Sequence, residues 1–189
     1  YGPLSDAFGR RKIMLYGNAI MMVGAIGCTI ADSIELLLFS RLVQGIGAST
    51  SAVVAFAMVA DAYSSEKSAK LIGTMNSLIT VFMSIAPIAG GFINETLGWR
   101  GNYSTIAVIS VVSWIMLYFW LPETKEKLEI FSTKKIAGDF KTLMSDKAFM
   151  YASLTPSLTF SGWMSFVACG SFLYIETYNL PIMYYLITQ

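Results

Sequence analysis

Residues 2–31 read GPLSDAFGRRKIMLYGNAIMMVGAIGCTIA, in which three consecutive basic residues precede a long, mainly apolar run. A helix needs about 20 mostly apolar residues to cross the hydrocarbon core of a bilayer. The run that begins at Ile13 meets this requirement, and four later stretches do so as well. The five predicted membrane spans are 13–31, 36–60, 71–93, 103–121 and 149–171. Residues 1–5 are expected to end an earlier helix, and residues from Pro181 onward to begin a later one.

The composition excludes several classes of protein. The 189 residues are 55% hydrophobic and only 13% charged, whereas soluble domains carry about a quarter charged residues. Thirteen basic and twelve acidic residues do not make the basic surface of a nucleic-acid-binding protein. The absence of histidine excludes Ser–His–Asp catalysis and imidazole metal sites. Cys28 and Cys169 show no disulfide or zinc pattern. We therefore expect an all-α integral membrane protein without a metal or cofactor.

The distribution of basic residues predicts the orientation. Eleven of the thirteen lysines and arginines lie in three loops that the spans place on one side of the membrane. Basic loops remain on the cytoplasmic side. Residues 6–12, 61–70 and 122–148 are therefore predicted to be cytoplasmic. The alternation fits five spans with no skipped crossing.

The 122–148 loop contains an amphipathic segment. Its apolar residues Ile136, Phe140, Leu143 and Met144 have helical spacing, with lysines between them. The helix either lies along the cytoplasmic face of the membrane or forms part of a solvated linker.

Residues 2–12 carry the first motif. GPLSDAFGRRK resembles the signature loop of the major facilitator superfamily, G-x-L-[AS]-D-x-x-G-R-[KR]-[KR], and every defining position matches. Gly9 supplies backbone freedom for a tight turn, and Asp6 is placed to pair with Arg10 or to face the positive end of a neighbouring helix. Alternatively, the basic residues only anchor the topology. The resemblance implies a cytoplasmic gate, formed by Gly2, Asp6, Gly9, Arg10 and Arg11.

Residues 41–48, RLVQGIGA, resemble the R-x-x-Q-G-x-G-[AG] motif in the fourth helix of that family. A buried arginine costs about 2.5–3.5 kcal/mol on insertion scales, so Arg41 is expected to face protein or a wet cavity. Alternatively, its side chain reaches the outer headgroups. The resemblance implies that Arg41 and Gln44 tune proton coupling. Because arginine stays protonated, Arg41 would favour the charged form of a nearby carboxylate or bind an anionic group.

Residues 86–91, APIAGG, resemble the antiporter motif g-x-x-x-G-P-x-x-G-G of the family's fifth helix, with Ala86 and Phe82 departing from it. Pro87 permits a kink, and Gly90 and Gly91 permit close helix packing. The resemblance implies a seal against leak. The alternative is an ordinary proline kink, which membrane helices tolerate.

The resemblance extends to residues 98–100 (GWR) and 121–124 (LPET), which occur at the same places in the family. The five spans then correspond to its third to seventh helices. This implies part of an N-terminal six-helix bundle (1–121), a linker (122–148) and the start of a C-terminal bundle (149–189). The subgroup that it most resembles is the twelve-helix drug:proton antiporters of the bicyclomycin-resistance type. The segment LPETK also resembles sugar porters.

Other polar residues have two interpretations each. Asn76 either lines a cavity or forms interhelical hydrogen bonds. Ser157 and Ser161, in a stripe with i+4 spacing, either line a pathway or pack against another helix. Asp61 is a peripheral proton relay or a flanking charge. The complete spans contain no internal carboxylate, so the proton carrier is expected in another part of a longer protein.

These features predict a secondary transporter that is not an enzyme, since the sequence contains no P-loop, dinucleotide motif or catalytic pair of carboxylates. The expected activity is proton-coupled efflux of small amphiphilic compounds by alternating access, by a monomer in a bacterial inner membrane. Its partners would be a small-molecule substrate, protons and the lipid bilayer, with no nucleic acid. The alternatives are a sugar or metabolite proton symporter and a transport-inactive membrane receptor or scaffold.

Overall fold

A computed structural model describes residues 1–125 and 128–178, and every regular element within them is helical. The predicted start of a later span at Pro181 lies outside the described residues. The α-helices are α1 (Gly2–Phe8), α2 (Arg10–Ile30), α3 (Ile34–Ala62), α4 (Ser65–Trp120), α5 (Thr133–Ser145) and α6 (Lys147–Phe172), followed by a π-helical turn (Leu173–Thr177).

Three helices begin at polar residues that accept hydrogen bonds from the first turn. The hydroxyl of Ser33 accepts from the Leu36 backbone at the start of α3, and that of Ser132 accepts from the Lys135 backbone at the start of α5. Asp146 separates α5 from α6 and caps the latter. These caps satisfy backbone donors that have no partner inside the helix, so they fix where each helix begins.

Helices α2 and α3 form an antiparallel pair with closely approaching backbones. A Cβ atom added at Gly24 would lie 2.6 Å from the Cα of Gln44, and one at Gly47 would lie 2.6 Å from the Cα of Met21. Glycines at these positions let the two backbones approach, as small residues do at membrane helix interfaces. The first two predicted spans correspond to this pair.

Helix α4 contains the third and fourth predicted spans as two segments that meet at Gly98. This glycine has a φ of 70° and a ψ of 179°, which is not helical and is accessible to glycine at little cost. The second segment runs antiparallel to α2. Arg100 Nη2 donates to the carbonyl of Ala31 (2.7 Å), and Trp114 Nε1 donates to the carbonyl of Leu15 (3.1 Å).

Of the described helices, α2, α3 and α4 are long and apolar enough to cross a membrane. At 56 residues, α4 is long enough for two crossings, since a helix rises about 1.5 Å per residue and the hydrocarbon core is about 30 Å thick. Helix α6 includes the predicted span 149–171 but is not among the helices that meet this criterion, so a fifth span stays a prediction.

The chain divides into two compact units. The first comprises residues 1–83 and 92–131, and its core is Met14, Val54 and Met58. Within its described part, the second comprises residues 84–91 and 132–178, including α5 and α6. The predicted division at residues 121 and 148 stays a prediction.

Candidate functional site

Arg10, the first residue of α2, is only 5% exposed and lies at the centre of a cluster of partly exposed charged side chains. Its Nη2 lies 2.7 Å from Asp6 Oδ1 and its Nε lies 2.9 Å from Asp61 Oδ2. Its Nη1 donates to the hydroxyl of Ser5. The predicted pairing of Asp6 with Arg10 is confirmed. Asp61, at the far end of α3, is a second partner that the sequence did not assign to Arg10.

Glu123 caps α2 from a distant part of the chain. Its Oε1 accepts from the Arg10 backbone (2.9 Å) and its Oε2 from the Arg11 backbone (3.2 Å). The N-cap residue is Gly9, which has no side chain to accept these bonds. A carboxylate at this position satisfies free N–H groups and complements the positive end of the helix dipole.

Gly9 is required here for two reasons. Its φ is 98°, in the region that residues with a Cβ avoid. A Cβ at this position would also lie 2.6 Å from Glu123 Oε2, so it would displace the capping carboxylate. The structure gives the glycine predicted for the turn a second role, which is to leave room for Glu123.

Lys125 adds a second cation to the cluster. Its Nζ lies 2.9 Å from Asp6 Oδ1, and this hydrogen bond raises the pKa of the ammonium group. Because the pKa of Lys125 is raised in the folded state, its contribution to the stability of the protein is fully present at neutral pH. The contribution is lost only as the pH rises through the raised, folded-state pKa. The ammonium group of Lys125 is therefore positively charged at physiological pH.

We call Asp6, Arg10, Asp61, Glu123 and Lys125 the Arg10 cluster. It joins the end of α1, the start of α2, the end of α3 and the segment after α4. Arginine and lysine surrounded by three carboxylates can hold these four chain segments together and can release them when the ion pairs separate.

Three residues of the predicted gate lie outside the Arg10 cluster: Gly9, described above, Arg11 and Gly2. Arg11 Nη2 donates to the carbonyl of Tyr118 (2.6 Å) and its guanidinium lies over the ring of that tyrosine, so Arg11 attaches α2 to α4. The carbonyl of Gly2 accepts from the Ser5 hydroxyl (2.8 Å). A Cβ at Gly2 would contact nothing within 4 Å, so no steric reason for this glycine is found among the described residues.

Arg41 and Gln44 are direct partners on α3. Arg41 Nη1 donates to Gln44 Oε1 at 3.0 Å, and the guanidinium carbon lies 5.0 Å from the centre of the Tyr103 ring. Gln44 is buried, whereas Arg41 is exposed. The tyrosine was not predicted, because its proximity depends on how the second segment of α4 returns beside α3. The arrangement holds a permanent positive charge over an aromatic ring.

The remaining predicted residues belong neither to the Arg10 cluster nor to the Arg41–Gln44 pair. The backbone of α4 stays helical through Pro87 and leaves the helical conformation at Gly98. Pro87, Gly90 and Gly91 are half-buried, while Asn76, Ser157 and Ser161 are exposed. The hydroxyls of Ser157 and Ser161 donate to carbonyls one turn earlier in α6, at 2.7 and 2.8 Å. The roles proposed for these six residues stay predictions.

Comparison with known proteins decides the family, because residues 1–188 match the model of the Major Facilitator Superfamily. The chain belongs to the Major Facilitator Superfamily. The resemblance drawn from the motifs at residues 2–12, 41–48 and 86–91 is confirmed, as is the expectation of a helical membrane bundle.

Three relatives indicate the branch of the Major Facilitator Superfamily. The multidrug resistance protein MdtM of Escherichia coli strain K12 is 28% identical over 189 residues, all of this chain and 46% of the relative. The bicyclomycin resistance protein homolog of Haemophilus influenzae is 28% identical over 184 residues, 96% of this chain and 46% of the relative. The chloramphenicol resistance protein CraA of Acinetobacter baumannii is 24% identical over 188 residues, 100% of this chain and 46% of the relative. The chain therefore spans about half the length of these curated relatives.

Proposed function

We propose that the chain is part of a secondary transporter that exports small amphiphilic compounds in exchange for protons. The observation that carries the proposal is the Arg10 cluster, in which one buried guanidinium joins α1, α2 and α3 through two carboxylates. Membership of the Major Facilitator Superfamily and the names of the drug-resistance relatives support it. We further propose that the protein is not an enzyme and that it acts as a monomer in a bacterial inner membrane.

The Arg10 cluster acts as a latch that is made in one state of the transport cycle and broken in another. Alternating access requires contacts that stabilise one conformation over the other, because a ligand shifts an equilibrium only through differential interactions. Separation of Arg10 from Asp6 or Asp61 would remove one ion pair and weaken the latch. The lysines and arginines of loops 6–12, 61–70 and 122–148 support a cytoplasmic position for this latch under the positive-inside rule.

Arg41 contributes to proton coupling through its fixed charge. Gln44 holds one end of the guanidinium and Tyr103 lies against its face, so the charge has a defined position. A carboxylate that approaches this charge is favoured in its ionised form, and it therefore releases a proton more readily. Pro87, Gly90 and Gly91 would form the antiporter seal, and Asn76, Ser157 and Ser161 would line the cavity.

Replacing Arg41 with alanine is expected to uncouple substrate movement from the proton gradient. A nearby positive charge lowers the pKa of a carboxylate by about one unit or more, which is at least about tenfold in proton affinity, so accumulation driven by a pH gradient should fall about tenfold or more. The measurement uses the full-length protein in proteoliposomes, with chloramphenicol and bicyclomycin as the first probes because relatives are named for resistance to them. Substrate exchange without a gradient should be retained.

The variant R100A is the matched control for R41A, because it makes the same substitution at another arginine. The guanidinium carbon of Arg100 also lies over an aromatic ring, 4.3 Å from the centre of the Trp99 ring, but Arg100 is near the break in α4. Its removal should leave gradient-driven accumulation intact. Normal accumulation by R41A would refute the coupling role. Accumulation of substrate in the same direction as an imposed proton flow would favour the alternative of a proton symporter. Binding of a probe without any flux would favour the alternative of a transport-inactive receptor.

A further inference from the structure

Helix α5 presents an apolar face that covers no core within the part of the chain that the structure describes. Ile136, Phe140, Leu143 and Met144 fall within an arc of about 100° on a helix of 3.6 residues per turn. Phe140 is 59% exposed and Met144 is 61% exposed, and no residue of α5 is buried. Such an exposed apolar face on a 13-residue helix indicates a surface that is covered by lipid or by another molecule.

Lysines accompany this face. Lys134 and Lys141 lie on one flank of the apolar arc. On the other flank, Lys135 lies beyond Asp139, which is the single acidic residue of the helix. Lysine stems can extend along an apolar surface while the ammonium groups remain at the level of lipid phosphates. The helix therefore combines apolar area with a net positive charge, which is the composition of helices that lie in a membrane interface.

We propose that α5 docks on the bilayer that holds this chain and selects its anionic phospholipids. The apolar face enters the boundary between headgroups and acyl chains, and the three lysines of α5 bind lipid phosphates. The net positive charge of α5 complements the negative charge of these lipids, which points to this occupant. So does connectivity, because Asp146 alone separates α5 from α6, which begins with Lys147 and contains the predicted span 149–171. The proposal does not depend on what the protein transports.

The test measures how deeply each side of α5 sits in lipid. The full-length protein, with Cys28 and Cys169 replaced by alanine and any other native cysteine removed, receives M144C on the apolar face or G138C on the polar face. A Cβ at Gly138 meets nothing within 4 Å, so G138C is sterically harmless. A bimane label on each cysteine is exposed to acyl-brominated quenchers in vesicles of phosphatidylcholine, with or without phosphatidylglycerol.

We expect strong quenching of the M144C label in phosphatidylglycerol vesicles and little quenching of the G138C label. Each lysine near an anionic surface contributes about fivefold to binding, so K134Q/K135Q/K141Q should lower the ratio of docked to undocked helix by about two orders of magnitude. High salt should weaken docking, since it screens surface charges. The control K12Q/K67Q/K70Q removes three lysines from other basic loops and should leave quenching unchanged.

Two outcomes would overturn the proposal. Equal quenching of M144C and G138C labels, or none of either, would show that the apolar face does not enter lipid and is covered by protein or water. Quenching that is the same in both vesicle types and unaffected by K134Q/K135Q/K141Q would show that anionic lipids are not selected. Thermal unfolding of every variant in detergent verifies that each protein is folded before the comparison.

Discussion

Replacing Arg10 with methionine is expected to lower the free energy of unfolding of the full-length protein by about 3 kcal/mol, because removing one partner of a buried ion pair leaves the other charges uncompensated. Asp6 and Asp61 have side chains that are 28% and 27% exposed, which places the cost at the low end for such pairs. Lys125 still neutralises part of the charge on Asp6. Denaturation in mixed micelles measures the change.

Two further variants make this prediction specific to the Arg10 cluster. K12M removes a neighbouring but exposed basic residue and should change stability by less than about 0.5 kcal/mol. In R10M/D61N the aspartate charge is removed as well, so part of the lost stability should return. Equal effects of R10M and K12M would contradict a structural latch centred on Arg10.

The second large effect is expected for Gly47→Ala. A Cβ at this position would lie 2.6 Å from the carbonyl oxygen of Gly17 and 2.6 Å from the Cα of Met21. Both are backbone atoms of α2, so the clash can be relieved only by separating α2 from α3. Overpacking of this kind costs roughly 1–3 kcal/mol, which thermal unfolding in detergent would detect.

Gly45 provides the matched control two residues away in the same motif. A Cβ at Gly45 would meet nothing within 4 Å. Since alanine is favoured over glycine in a helix by up to about 1 kcal/mol, G45A should be neutral or slightly stabilising. If G45A and G47A destabilised the protein equally, the close approach of α2 and α3 at Gly47 would not explain the glycine.

The spans that follow from local composition were predictable from the sequence. The run 13–31 corresponds to α2 and the run 36–60 to α3, because twenty apolar residues fix a membrane helix with little help from the rest of the chain. The junction at Gly98 was less predictable. Only this residue leaves the helical conformation, so two predicted spans appear as one continuous helical stretch.

The candidate site was predictable only where the partners are close in sequence. Asp6 and Arg10 are four residues apart and meet on adjoining turns, as their spacing indicates. Asp61 and Glu123 are 51 and 113 residues from Arg10. Their contacts depend on the return of α3 and of α4 to the same end of the first unit. A single sequence contains no local signal for such long-range pairs.

The most direct test of proton-coupled efflux is proton release on substrate binding. The full-length protein, purified in detergent and weakly buffered, is mixed with whichever of the two probes it transports, and the pH is recorded. An antiporter that exchanges substrate for protons is expected to acidify the solution in proportion to the protein, and R41A should release fewer protons. Saturable binding of the probe with no change in pH at any pH in the physiological range would contradict proton exchange.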